Sequence, residues 1–135
     1  KPKYIFFGEK DFQQLYLVRN FIRKKFKTKI FSCSTVRDKN HVALSSRNIL
    51  LSPNDLKKSS YIAKLLLKFK KKLVKNFSYK KSLNNLYDNI NNIKNIKIDY
   101  LEIRNNKNLS KKFNSKNFKI FIAYYNRKIR IIDNY

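Results

Sequence analysis

The sequence predicts an α/β protein: the end of a doubly wound parallel-sheet domain over residues 1–34, then a small α+β domain over residues 35–135 with two helices and a three-stranded antiparallel sheet. Three observations carry this prediction. A short apolar run, Tyr4 to Phe7, stops at Gly8, the only glycine, and passes directly into an amphipathic segment and a second apolar run. Ser52-Pro53-Asn54-Asp55 opens a pair of segments whose apolar residues recur at helical spacing. From Ile96 onward short strand-like runs alternate with polar stretches.

Lys3 to Phe7 reads as a buried strand entering the turn at Gly8. Asp11 to about Lys25 reads as a helix, because Leu15, Val18 and Ile22 fall at i, i+3 and i+7 with Leu17 and Phe21 beside them. Asp11 and Gln14, three residues apart, match a capping box at its start. Lys29 to Cys33, around Ile30 and Phe31, reads as the second strand of a β-α-β unit, which implies a parallel sheet. From Ser34 to Asn48 the chain is polar and irregular and reads as a loop. Ser52 then suits an N-cap, Pro53 the first helical position and Asp55 the third. Ile62, Leu65, Leu66, Phe69 and Leu73 form the stripe of that helix. Tyr79 to Asn92 repeats the pattern with Leu83, Leu86, Tyr87 and Ile90, and both helices are expected to pack on a sheet. Ile96 to Ile103 alternates as a strand, with Ile98 and Tyr100 on one face and Leu101 and Ile103 on the other. Phe118–Tyr125 and Lys128–Asp133 read as a hairpin turning at Asn126-Arg127, where asparagine tolerates a left-handed backbone. Asn105 to Asn117 reads as loop.

A chain of 135 residues with 42% hydrophobic content is large enough for one modest core and too apolar for disorder. The formal charge of +25 raises nucleic acid as a partner, since such a surface attracts phosphate backbones. The bias is spread over the whole chain, however, with Lys, Asn, Ile, Phe and Tyr abundant throughout, a pattern that fits AT-rich coding. The runs Arg23-Lys24-Lys25 and Lys68-Phe69-Lys70-Lys71-Lys72 lie in or beside amphipathic helices, where a solvated face accounts for them. Non-specific adhesion to nucleic acid stays open. Cys33 is the lone cysteine, which excludes an internal disulfide and a cysteine metal cluster and fits a reducing, cytoplasmic compartment. No apolar run approaches the roughly 20 residues of a membrane span. The sequence starts at Lys1 and contains no methionine, so it reads as a fragment.

The chemistry-bearing residues fall in two blocks. At Gly8-Glu9-Lys10-Asp11 a strand ends and a helix begins, which puts free N–H groups and a partial positive charge at one point, with a lysine beside it; that combination suits a phosphate. Gln14 follows on the first helical turn. The second block runs from Thr35-Val36-Arg37 through Leu44-Ser45-Ser46-Arg47-Asn48 to Leu51-Ser52-Pro53, and offers two hydroxyls and a guanidinium that can fork two oxygens. Read alone, Val36 is a core residue and Ser-Ser-Arg a solvated loop. Asp99, Glu102 and Asp133 lie in strands and form no site of their own. No Walker-type loop or zinc spacing is present.

These blocks, with Asp99-Tyr100-Leu101-Glu102-Ile103-Arg104 and Ile131-Ile132-Asp133-Asn134, occur in the order and spacing of the pantothenate synthetase (pantoate-β-alanine ligase) family, which the whole chain resembles. The resemblance implies the carboxy-terminal part of such an enzyme: the last β-α-β piece of a Rossmann-like nucleotide-binding domain and the lid that closes over ATP. It implies an ATP-dependent condensation of (R)-pantoate with β-alanine through pantoyl-adenylate, with Mg²⁺ on the phosphates, in a homodimer of the complete protein. It assigns ATP to Gly8, Glu9, Lys10, Asp11, Val36, Leu44, Ser45, Ser46 and Arg47: Lys10 to phosphate, the Gly8 backbone and Asp11 to ribose, Val36 to adenine, Leu44 to Arg47 to the closing phosphate loop, with Glu9 structural. Gln14 matches the pantoate-binding glutamine, and the capping role stands beside that one. No catalytic or metal-binding residue is assigned, because the family's His-x-Gly-His signature has no counterpart here; His41 is the only histidine. The family's usual Asp-Gly is replaced by Asn40-His41, so a larger residue must serve the loop, and Asn40 is expected to take the left-handed conformation. The rival reading is a small basic RNA-binding module with aromatics interleaved among Lys and Arg, binding with a steep salt dependence.

Overall fold

The computed structural model describes residues 2–74 and 79–135. Contacts gather the chain into two compact units, residues 1–36 and residues 37–135.

The first unit is a β-α-β element. Strand β1 (Tyr4–Gly8) leads through a 3₁₀ turn (Glu9–Asp11) into helix α1 (Phe12–Lys25), and strand β2 (Lys29–Cys33) returns parallel to β1, with Tyr4 beside Lys29 and Gly8 beside Cys33. The helix ends where Phe26 turns extended while its N–H still reaches the Ile22 carbonyl at 2.8 Å. Leu15 is buried, and Ile5, Phe7, Val18 and Ile22 are half-buried.

Strand β1 is not the buried strand its composition predicts. Its residues alternate, and Tyr4 and Phe6 stand on an open face, where Phe6 stacks on Phe31 of β2 at 5.4 Å between ring centroids. One helix can cover only one face of a two-stranded sheet, whereas parallel sheets ordinarily have both faces covered. The predicted capping box at Asp11 and Gln14 is also absent. Asp11 closes the 3₁₀ turn at φ −96°, ψ 57° instead of the extended conformation an N-cap needs, and makes no side-chain cap.

The second unit packs helices α2 (Pro53–Val74) and α3 (Tyr79–Asn91) on an antiparallel sheet ordered β3 (Ile96–Asn105), β4 (Phe118–Asn126), β5 (Ile129–Asn134). Helix α2 starts as its sequence predicts: the Ser52 hydroxyl accepts the Asp55 N–H at 3.2 Å and donates to the Asp55 carboxylate at 2.6 Å. Lys58 and Arg127 also contact that carboxylate. The Ser52 hydrogen bond is the largest influence holding the Asp55 carboxyl below the usual range, with Lys58 and Arg127 assisting. Ile62, Leu66, Phe69 and Leu73 from α2 and Leu86 and Ile90 from α3 meet Ile98, Ile120, Ile122 and Ile131 of the sheet in one apolar core. Tyr87, expected in the α3 stripe, is 40% exposed.

Two details of the sheet depart from strict alternation. A bulge between Ile98 and Tyr100 leaves Asp99 out of the register with β4, so the inward parity changes. Ile98, Leu101 and Ile103 therefore pack toward the same core instead of dividing between two faces. At the hairpin, Asn126 pairs with Ile129 as the last residue of β4, and Arg127 takes the left-handed conformation at φ 55°. Asn126 is held in the strand because its buried amide donates to the Asp55 carbonyl at 2.9 Å, tying the hairpin to α2.

Candidate functional site

The predicted residues are divided between the units: Gly8 to Asp11, Gln14 and Val36 belong to residues 1–36, and Leu44 to Arg47 to residues 37–135. In the first, the chain leaves the carboxyl end of β1 at Gly8 and passes through Glu9, Lys10 and Asp11 to the first turn of α1, which carries Gln14. Open parallel sheets present ligand sites at this end of their strands. Gly8 has φ −69° and ψ 135°, values open to any residue, so its backbone does not demand glycine. A Cβ built there meets nothing within 4 Å. Neither conformation nor packing among the described residues requires glycine at this position. Asp11 and Gln14 are exposed, and with the capping box absent neither side chain has a hydrogen-bond partner among the described residues.

The second set is built on a tight turn. The Asp38 carboxylate accepts the N–H groups of Asn40 at 2.8 Å and Val42 at 2.9 Å, while backbone bonds join Asp38 to Val42 and His41 to Asp38. His41, not Asn40, takes the left-handed conformation, at φ 68°. Holding a β-carbon in that conformation costs about 1–2 kcal/mol. Val42 and Ala43 are buried at 5% exposure each and anchor the segment. Leu44 is then 54% exposed, and Ser45 caps a 3₁₀ turn (Ser46–Leu50), its hydroxyl accepting the Arg47 N–H at 3.3 Å. Asn48 donates to the Ala43 carbonyl at 3.0 Å and closes the loop on itself. Ser45 is thus partly used by the loop. The Ser46 hydroxyl and the Arg47 guanidinium are exposed and have no partner among the described residues. Val36, at 65% exposure, is not a core residue.

Arg37 stands in the second sequence block without a role, and it is held from several sides. Its guanidinium forks the Asp133 carboxylate at 2.7 and 2.9 Å, donates to the Asn134 carbonyl at 2.8 Å and the His41 carbonyl at 3.0 Å, and lies 4.3 Å from the Tyr135 ring centroid. Burial works to lower its pKa, and the Asp133 carboxylate outweighs this, so the pKa is raised. Burial, with Asp133 adding to it, pushes the Tyr135 phenol up as well. Tyr124, buried beside them, is pushed up to about 12. The sequence carried one hint, the Ile131-Ile132-Asp133-Asn134 block, but nothing in it paired Asp133 with a residue 96 positions earlier.

Among the described residues no three His, Cys, Asp or Glu side chains gather to hold a metal ion, and no helix is long and apolar enough to cross a membrane. A Mg²⁺ that arrives on a nucleotide needs no such cage, because it keeps several waters and is held largely by phosphate oxygens.

A family model described as pantoate-beta-alanine ligase matches residues 1–135. The chain belongs to the pantoate-beta-alanine ligase family. Curated pantothenate synthetases include that of Flavobacterium psychrophilum, 34% identical over 137 residues, covering 98% of this chain and 48% of the relative. That of Azobacteroides pseudotrichonymphae is 37% identical over 139 residues, covering 99% of this chain and 49% of its own. The solved pantothenate synthetase of Thermus thermophilus matches with a TM-score of 0.87 at 30% identity, over 99% of this chain and 49% of that one. A pantoate-beta-alanine ligase of Francisella tularensis, solved in complex with beta-gamma ATP and beta-alanine, matches with a TM-score of 0.73 at 30% identity, over 99% and 43%. The chain spans about half the length of these ligases and corresponds to their carboxy-terminal part. The RNA-binding alternative gains no support: the family match takes up the whole chain, and Phe69, amid the Lys68–Lys72 run, is a core residue.

Proposed function

We propose that this chain forms the carboxy-terminal part of an ATP-dependent ligase that condenses (R)-pantoate with β-alanine to pantothenate, and that it is inactive alone. The pantoate carboxylate attacks the α-phosphorus of ATP and pyrophosphate leaves; the β-alanine amine then attacks the pantoyl carbonyl and AMP leaves. Charge grows on the phosphate oxygens in the first step, so positioned donors supply most of the stabilisation. Lys10 serves a phosphate oxygen, the Gly8 backbone and Asp11 the ribose hydroxyls, and Val36 the adenine. Gln14 can both donate to and accept from the hydroxy acid. Leu44, Ser45, Ser46 and Arg47 form the loop that closes on the triphosphate. Glu9 is structural. Mg²⁺ enters on the phosphates.

The observation that carries this reading is the Ser46-Arg47 tip, where the Ser46 hydroxyl and the Arg47 guanidinium are exposed and have no partner among the described residues, on a loop that Ser45 and Asn48 otherwise close, in a chain of this family. We place the complete enzyme in the cytoplasm as a homodimer. The chain's formal charge of +25 also lends it non-specific attraction for polyanions. Combined with its amino-terminal portion, the chain should show pantoate-dependent exchange between pyrophosphate and ATP. Lys10→Ala should lower that exchange by about 10²–10³-fold, the usual cost of removing a donor to developing charge. Undiminished exchange in that variant counts against the assignment of Lys10.

A further inference from the structure

We propose that Arg37 is a positioning residue for the triphosphate loop: gripped by Asp133 of the last strand, it holds the strained His41 turn shut and so sets where Ser46 and Arg47 stand. The inference rests on the reading that this loop closes on ATP.

The geometry runs in one direction along the chain. Asp133 is 8% exposed and lies in β5, the strand hydrogen-bonded to the central β4, so it is a rigid anchor. It takes both terminal nitrogens of Arg37, a planar fork that fixes the guanidinium in angle as well as distance. The same guanidinium nitrogen that bonds Asp133 Oδ2 also holds the carbonyl of His41. His41 is the residue at positive φ, where a β-carbon works against the turn. Two residues later Ala43 bridges back to Arg37, and its carbonyl accepts the Asn48 amide that closes the loop behind Ser45 to Arg47. Each bond passes the placement of the anchor to the next segment. A lysine keeps the charge but has no fork, so it cannot hold Asp133 and both carbonyls in one plane.

The test uses the complete ligase, this chain joined to its amino-terminal portion, with steady-state kinetics, thermal unfolding and three variants. Arg37→Lys should raise the KM for ATP about tenfold while leaving the KM for pantoate within twofold and the protein folded. Adding His41→Gly to Arg37→Lys should recover most of the loss, because glycine adopts the turn without being held. A general packing role for Arg37 predicts equal changes in both KM values and no rescue. Arg47→Ala is the control for the underlying reading. If Arg47→Ala weakens ATP binding and Arg37→Lys does not, the positioning role is overturned while the loop assignment stands. If Arg47→Ala leaves the KM for ATP unchanged, the loop assignment itself fails and takes this inference with it. If Arg37→Lys unfolds the protein, Asp133→Asn is measured instead, with the same KM split expected and an unchanged KM for ATP overturning the proposal.

Discussion

Leu66 in residues 37–135 and Phe6 in residues 1–36 are both large apolar side chains inside regular elements, yet Leu66 is fully buried and Phe6 is 68% exposed. The larger unit has two helices over a three-stranded sheet, so Leu66, Ile90, Ile120 and Ile122 each find neighbours on every side. The smaller unit has one helix and two strands, with Leu15 its one buried hydrophobic among the described residues, and an aromatic face of Tyr4, Phe6 and Phe31 left open. Layer count, not composition, separates them: an element apolar on two faces is enclosed only where a layer lies on each. The larger unit is stabilised by its own core. The smaller one presents apolar surface of the kind that a further part of a parallel-sheet domain covers.

The widest difference is expected from core truncation. Leu66→Ala should cost about 2–5 kcal/mol in urea unfolding, with loss of hydrogen-exchange protection across β3 to β5. A cost below that of an ordinary surface change would mean that the larger unit is not the stable one.

A middle-sized effect tests how the larger unit sets its own start. Ser52→Ala should remove about 1 kcal/mol through loss of the N-cap. It should also change the pH dependence. The Asp55 carboxyl is held low in the folded state, so its stabilisation is present above the ordinary carboxylate value of about 3.9 and lost as the pH falls through the folded value. Without the Ser52 hydroxyl less of that stabilisation exists to lose, and the gap between variant and parent should narrow toward acid pH. A gap that widens in acid would contradict the link between cap and carboxylate.

The smallest effect should come from the open face. Phe6→Ala forfeits the stack on Phe31 and little else, costing under about 1 kcal/mol in this chain. In the complete ligase the same change should cost about 3–5 kcal/mol if the amino-terminal portion covers that face. Equal costs in the two settings would show that the face stays open there too.

Much of this was legible one segment at a time. The Leu15-Val18-Ile22 and Ile62-Leu66-Phe69-Leu73 spacings placed α1 and α2, Ser52-Pro53 placed the start of α2, and Gly-Glu-Lys-Asp and Ser-Ser-Arg marked the two blocks of the candidate site. The failures have two causes, one local and one tertiary. Asp11 and Gln14 have the spacing of a capping box, but the 3₁₀ turn before them removes the backbone conformation that it needs. Asn126 is a better left-handed residue than Arg127, yet its amide is drawn into α2, and the turn shifts by one position.

By itself, then, the order of residues determined what depends on near neighbours: which segments are helical, where α2 is capped, that β1 and β2 run parallel around a helix, and which short motifs bear hydroxyls and cations. Only the tertiary structure decided that Asp99 would bulge, that His41 would carry the strained turn, that Arg37 would meet Asp133 and that the Tyr4-Phe6-Phe31 face would stand open. Periodicity and capping act over a few residues and leave their mark in spacing, whereas strand register, ion pairing and the number of packed layers join residues far apart in the chain, where spacing records nothing.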